Sequence, residues 1–343
     1  MPHSDKFNLS QIKNFKIKLI IIVKLYNRYI VLKQEAKLIQ DILPSHLDNQ
    51  YKNVKCEDED IIFYFQGSTV LAKKTDDIIS YPSYREFVTA VEEKTELKVS
   101  EAYTVTYLLS VDKTRYFLAM RKKQVLHGSF EGETSDSKIH NEYRVLLNGY
   151  EFIGVNMFRN AKPKAVAFAA ITAFHLYGWY RDNQVCGRCG HVMKHDDKQR
   201  MLYCTECGNV DFPKICPAVI VGVTNADKIL MTKYAGRNYK NYALIAGFNE
   251  IGETIEQTVE REVMEEVGLR VKNLKYYKSQ PWGLSGSLLM GFFCELDGDD
   301  DTIKLDENEL AVGGWLAAKD IDLLEDGVSL TREMILKFKE TNS

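Results

Sequence analysis

A chain of 343 residues, 45% hydrophobic and 27% charged, is long and apolar enough for two globular units with their own cores, which excludes a disordered or low-complexity protein. A formal net charge of −3 gives no general attraction for nucleic acid. Of seven cysteines, four stand in two close pairs while Cys56, Cys216 and Cys294 are scattered, which fits a reducing cytoplasm better than a disulfide framework.

Ile17 to Leu32 is rich in Ile, Leu and Val, but Lys18, Lys24 and Arg28 interrupt it, so no span near 20 apolar residues can form a transmembrane helix. No small-residue cleavage site follows it, which argues against a signal peptide. From residue 39 to about 163 the pattern is mostly β. Ile61 to Phe65 and Thr69 to Lys73 flank Gln66-Gly67-Ser68 as a hairpin, and Tyr103 to Val111 with Arg115 to Met120 flank Asp112-Lys113-Thr114 as another. Lys164 to Tyr180 is an Ala-rich helical stretch, read as a connecting helix over 164–183.

Cys186-x₂-Cys189 and Cys204-x₂-Cys207 follow, fourteen residues apart, with Gly190 and Gly208 directly after each pair. Two knuckles of this kind supply four thiolates to a closed tetrahedral site, so residues 184–211 read as a zinc ribbon whose Zn²⁺ is structural, with no open coordination position. Disulfides are the alternative, and nothing points to secretion. His191 and His195 lie between the pairs; with four thiolates available they read as loop residues.

In the C-terminal part, 212–343, Ala218 to Thr224 and Lys228 to Lys233 bracket Asn225-Ala226-Asp227 as a hairpin, and Tyr242 to Ala246 is a short strand leading to Gly247. Thr254 and Gln257 form a capping box, Ile255, Val259, Val263 and Val267 recur every fourth residue, and Gly268 is a natural stop, which predicts an amphipathic helix. Strands near Val271 to Lys278 and Leu288 to Leu296 and a last helix over Thr331 to Glu340 complete an α/β pattern in which a mixed sheet lies between helices.

The helix carries Glu262, Glu265 and Glu266 at i, i+3 and i+4, one surface on which like charges cost about 0.2–0.5 kcal/mol per pair. A hard divalent ion, Mg²⁺ or Mn²⁺, would remove that cost. A solvated acidic face is the bland alternative. More of the pattern is present, however: Gly247, Glu253, Arg261, Glu262, Val263, Glu265, Glu266, Gly268 and Leu269 match, without a gap, the box of the Nudix hydrolases, which this segment resembles. The resemblance implies a Nudix α/β/α sandwich that hydrolyses a nucleoside diphosphate linked to another moiety. Glu262, Glu266 and Glu309 would hold the ions, Glu265 would act as base or further ligand, Arg261 would orient a box glutamate, and Glu253 would anchor the loop or the helix start.

A zinc ribbon directly before such a domain resembles the NADH pyrophosphatases, a subgroup also known for removing NAD caps from RNA. Its Ser-Gln-Pro-Trp mark is matched by Ser279-Gln280-Pro281-Trp282, but the Pro-Phe-Pro that commonly follows is replaced by Gly283-Leu284-Ser285-Gly286-Ser287; the resemblance implies that Gln280 to Ser287 bind the substrate. The resemblance further implies a metal-ligating carbonyl at Ala246, the downstream glutamate at Glu309 with Glu307 as its rival, and an adenine-stacking aromatic at Phe212, although a core aromatic would look the same. Members often begin near a sequence like Ile39-Gln40-Asp41-Ile42, which makes 1–38 an N-terminal extension, and they are homodimers. The expected reaction splits NAD(H) to nicotinamide mononucleotide and AMP. Two alternatives stay open: a Nudix enzyme for ADP-ribose or dinucleoside polyphosphates, and a nucleic-acid-binding or regulatory protein whose Nudix fold senses a ligand.

Overall fold

The computed structural model describes residues 38–95, 97–122, 147–236, 241–323 and 326–342; residues 1–37, with Ile17 to Leu32, lie outside the described residues. The N-terminal part is built on two small sheets. One runs Leu47–Asp48, Tyr103–Val111, Thr114–Arg121, Ile61–Phe63; the other carries Phe65–Gln66, Thr69–Thr75 and Ile78–Ser80, with Glu151–Gly154 beside Thr69–Thr75. The expected hairpin around Asp112 is present, with Val111 opposite Thr114. The expected hairpin around Gly67 is present only in its tip: Phe65 and Gln66 pair with Val70 and Thr69, whereas Ile61–Phe63 runs parallel to Thr114–Arg121 in the other sheet. Ile62 to Phe65 are all buried, so this run passes between the sheets instead of lining one face.

Helix α1, Lys164–Asp182, starts behind Pro163 and buries residues on nearly every side, including Ala167, Phe168, Ala170, Ile171 and Trp179. A helix apolar all round belongs inside a core. It shares one with the N-terminal strands and with Cys186, Met193, Leu202 and Cys204 of the ribbon, so packing runs across the boundaries at 163 and 183. Among the described residues no helix is long and apolar enough to cross a membrane.

The C-terminal sheet consists of β1 Cys216–Asn225, β2 Lys228–Tyr234, β3 Ile245–Phe248, β4 Val271–Trp282, β5 Ser287–Leu296 and β6 Leu310–Ala317. Its order is β4-β5-β1-β2-β6, with β3 on β1; β5 is parallel to β1 and the other pairings are antiparallel, a mixed sheet as expected. Alternation sorts β1 onto two faces. Val219, Val221 and Val223 meet Val259, Val263 and Val267 of α2, Ile255–Val267, while Ile220 on the opposite face meets Leu330, Met334 and Phe338 of α3, Leu330–Asn342. The layers are helix, sheet, helix. Leu38, at the end of the expected extension, is 1% exposed within the α3 layer. β6 is a strand the sequence reading did not anticipate, and β4 continues past Lys278 through Trp282.

Candidate active site and zinc ribbon

The ribbon repeats one knuckle twice. Cys186 N–H donates to His191 O and Gly190 N–H to Cys186 O at 2.8 and 2.9 Å; Cys204 N–H donates to Asn209 O and Gly208 N–H to Cys204 O at 2.8 and 3.1 Å. Gly190 and Gly208 have φ of 77° and 68°, a backbone that favours glycine. All four sulfurs lie within 4.8 Å of one another, and among the described residues theirs is the one set of three or more such ligand atoms so gathered. Cys186 and Cys207 Sγ are 3.6 Å apart and Cys189 and Cys204 Sγ 3.4 Å, far beyond a disulfide and near the edge of about 3.8 Å for a tetrahedron around zinc. The Cys207 N–H lowers the Cys204 thiol below its ordinary value. The soft donor set and spacing therefore fit zinc. His191 contributes its carbonyl to a knuckle, and His195 stacks on Tyr180 at 4.9 Å.

The helix of carboxylates begins as its sequence dictates. Gln257 N–H donates to Thr254 Oγ1 at 3.3 Å, Thr254 N–H donates to Gln257 Oε1 at 2.8 Å, and Gly268 closes the helix with φ 70°. Arg261 is the hub of this face. Its guanidinium grips Glu253 with Nε at 2.6 Å and Nη2 at 3.1 Å, donates through Nη1 to Glu262 and Glu265 at 2.8 Å each, and reaches Phe248 O at 2.8 Å. Hydrogen bonding from Arg261 holds the Glu253 carboxyl down at about 2. Burial pushes Glu262 above its ordinary value, with the charges of Glu265 and Glu309 acting the same way against Arg261. Gly247 makes room for this carboxylate, since a Cβ there would lie 1.9 Å from Glu262 Cδ. Glu266 is buried at 3% exposure, and the loop after β5 is tied to it by Asp306 N–H on Glu266 O and Glu309 N–H on Asp306 O. Glu307 and Glu309 are both exposed in this loop. The oxygens of Glu262, Glu265, Glu266 and Glu309 are not drawn together as the thiolates are, but they are hard donors of the kind a divalent ion takes, and the backbone of Gly247 leaves the space in which the Glu262 carboxylate sits.

Two residues that the sequence reading missed complete the loop. Thr258, fully buried, donates to Glu253 Oε2 at 2.9 Å and accepts from Asn249 Nδ2 at 2.6 Å. A polar residue at the inward-facing fourth position after Thr254 was the available signal.

The remaining site residues meet at one end of the sheet. Cys216 of β1 pairs with Ser287 of β5, Trp282 of β4 pairs with Ser287, and Ala218 pairs with Phe248 of β3, so the Trp282–Ser287 turn and the loop after Gly247 flank the same strand start. Phe212, half exposed, precedes that start. Helix α1 buttresses the turn: a Cβ on Gly283 would lie 2.6 Å from Ile171 O, and Gly286 has φ 71° with His175 Nε2 at 3.1 Å from its Cβ position. Ser285 and Ser287 hydroxyls are 2.9 Å apart, Leu284 packs on the N-terminal core, and Arg159 lies over the Trp282 ring at 4.9 Å. Pro281 is exposed. Gln280, expected to touch substrate, is fully buried with its amide engaged inside the protein. Ala246 lies on β3 opposite Ile220, immediately before the Glu262 carboxylate's seat at Gly247.

Residues 214–338 match the NUDIX domain model, and residues 181–212 match the NADH pyrophosphatase zinc ribbon domain model. The C-terminal unit is a Nudix domain. It is joined to a zinc ribbon of the NADH pyrophosphatase kind. The NAD-capped RNA hydrolase NudC of Citrobacter koseri is 39% identical over 160 residues, 47% of this chain and 62% of that protein, and the protein of that name from Escherichia coli K12 is 38% identical over the same lengths. The match thus spans less than two thirds of these relatives. A crystal structure of a NUDIX hydrolase from Nitrosomonas europaea is similar with a TM-score of 0.38 and 19% identity, covering 46% of this chain and 90% of that one.

Proposed function

We propose that the protein is a metal-dependent pyrophosphohydrolase that cleaves the diphosphate of NAD(H) to nicotinamide mononucleotide and AMP, and that NAD caps on RNA undergo the same cleavage. The observation that carries this reading is the meeting of the carboxylate helix and the Trp282–Ser287 turn at one end of a Nudix sheet that follows an NADH pyrophosphatase-type ribbon. The name shared by the relatives supports the cap substrate.

Glu262, Glu266, Glu309 and the carbonyl of Ala246 would hold Mg²⁺ or Mn²⁺, which supplies charge neutralisation for the diphosphate and acidifies water; Glu265 serves as the base, its alternative role being that of a further ligand. Arg261 fixes the Glu262 and Glu265 carboxylates and ties them to the loop through Glu253. Glu265, exposed at the helix surface, takes the proton of the attacking water at Oε1, the oxygen not engaged by Arg261. One oxygen–phosphorus bond forms as the bridging bond opposite it breaks, and the departing nucleotide leaves as a phosphate monoester. Phe212 stacks on the adenine, and Pro281, Trp282, Gly283, Leu284, Ser285, Gly286 and Ser287 border the nicotinamide side. In the ribbon, Cys186, Cys189, Cys204 and Cys207 hold a structural Zn²⁺.

A second copy of the chain covers the apolar side chains that Ile215, Phe248 and Ile251 expose at this end of the sheet, forming a homodimer. Four zinc-binding thiolates and three further free cysteines suit a cytoplasmic location. The Gly283–Ser287 departure favours one second reading, cleavage of ADP-ribose or dinucleoside polyphosphates. The test offers NADH, NAD⁺, ADP-ribose, diadenosine polyphosphate and NAD-capped RNA side by side with Mn²⁺. Preferred cleavage of the nicotinamide substrates is expected, and equal turnover of all five would defeat the assignment.

A further inference from the structure

Gln280 is fully buried, and its amide is fully used. Nε2 donates to Val328 O at 2.7 Å and to Gln40 Oε1 at 3.1 Å, while Oε1 accepts from Leu330 N–H at 2.9 Å. Gln40 answers by donating from Nε2 to Ser279 O at 3.1 Å, and the neighbouring Ile39 N–H donates to Val328 O at 3.2 Å. Both amide hydrogens of Gln280 are spent on protein oxygens, so none remains for a ligand. The bonds join three distant stretches: residues 39–40, the end of β4, and the entry to α3.

We propose that Gln280 and Gln40 are a positioning pair that sets the Pro281–Ser287 turn, making the segment at residues 38–42 a working part of the Nudix substrate site. Pro281 and Trp282 follow Gln280 directly on β4, and Trp282 opposite Ser287 closes the turn. α1 supports the turn from one side through Ile171 and His175, and the glutamine pair fixes the strand that delivers it. A strand with an unsatisfied buried amide relaxes by shifting, and the turn moves with it. The effect on catalysis rests on the proposed reading that this turn borders the substrate; the effect on the turn itself does not.

The test compares Gln40→Met, Gln280→Met and the double variant in the full chain, measuring KM and kcat for NADH and the hydrogen exchange of amides 282–287. Each single variant is expected to raise KM about fivefold to tenfold, the equivalent of roughly one lost hydrogen bond, with kcat within about twofold. The double variant should be no worse than Gln280→Met alone, because residues of one network are not additive. Amides 282–287 should exchange faster while those of α2 do not. Val91→Ala, a core truncation elsewhere, should lower stability and leave KM unchanged. Should Gln280→Met fail to fold, Gln40→Met decides by the same readouts. Unchanged KM with unchanged exchange, or additive effects on KM, would overturn the pair. Wild-type inactivity on NADH with faster turn exchange in Gln40→Met would remove the substrate reading and leave the positioning role standing.

Discussion

Gly247 and Glu262 occupy what would be a single volume if residue 247 had a side chain: a Cβ there would stand 1.9 Å from Glu262 Cδ and 2.0 and 2.2 Å from its oxygens. The backbone of Gly247 is thus the seat of a carboxylate. Gly247→Ala must displace Glu262 while leaving the cores around Val259 and Val263 intact. Turnover of NADH is expected to fall by about 10²-fold, the usual scale for a displacement near 1 Å, with little change in thermal midpoint. Wild-type kcat in Gly247→Ala would contradict the role of Glu262.

Arg261 spans the loop and the helix face, and a lysine in its place cannot keep the two-pronged grip on Glu253 together with the bonds to Glu262 and Glu265. Arg261→Lys should reduce turnover by roughly tenfold or more while the chain still folds, read as kcat against a melting curve.

The Glu253 carboxyl, held at about 2 against an ordinary 4.5, gives the stability curve a definite acid limb. Its folded-state pKa is depressed, so its contribution is complete above pH 4.5 and is lost as pH falls from there toward 2. Thermal midpoints measured across that window should fall less steeply in Glu253→Gln than in the wild type. Identical slopes would show that the pair with Arg261 does not persist in solution.

The ribbon is coupled to the N-terminal part because Cys186 and Cys204 are buried in the core that contains Phe168, Ile171 and Tyr180 of α1. Metal-coupled folding of small zinc sites reaches on the order of 10 kcal/mol, an upper bound for a ribbon packed on a larger body. Cys204→Ser, or exhaustive chelation, should release one zinc per chain by elemental analysis and lower the thermal midpoint of the whole N-terminal unit. A midpoint unaffected by zinc loss would show the four thiols to be dispensable.

What was legible in the sequence was local. Thr254 with Gln257, valines at every fourth position and Gly268 fixed α2 almost to its ends, because capping and amphipathicity act within a few residues. The two knuckles were legible for the same reason. Ile61 to Phe65 misled because its partners, Tyr116 to Leu118 and Val70, are chosen by long-range pairing. β6 was hidden by Gly313 and Gly314, which weaken a strand signal; Gly313 is small because Leu305 presses within 2.6 Å of its Cβ position. Gln280 was read as a substrate group from the motif around it, and its partner Gln40, 240 residues away, carried no signal that one sequence could show.

The most direct measurement incubates the purified chain with NADH and Mn²⁺ and identifies the products by mass, beside Glu266→Gln under saturating metal. Reduced nicotinamide mononucleotide and AMP from the wild type, with turnover in Glu266→Gln reduced by orders of magnitude, is the expected result. Intact NADH, release of free nicotinamide, or near wild-type turnover in Glu266→Gln would contradict cleavage of the diphosphate by this carboxylate site.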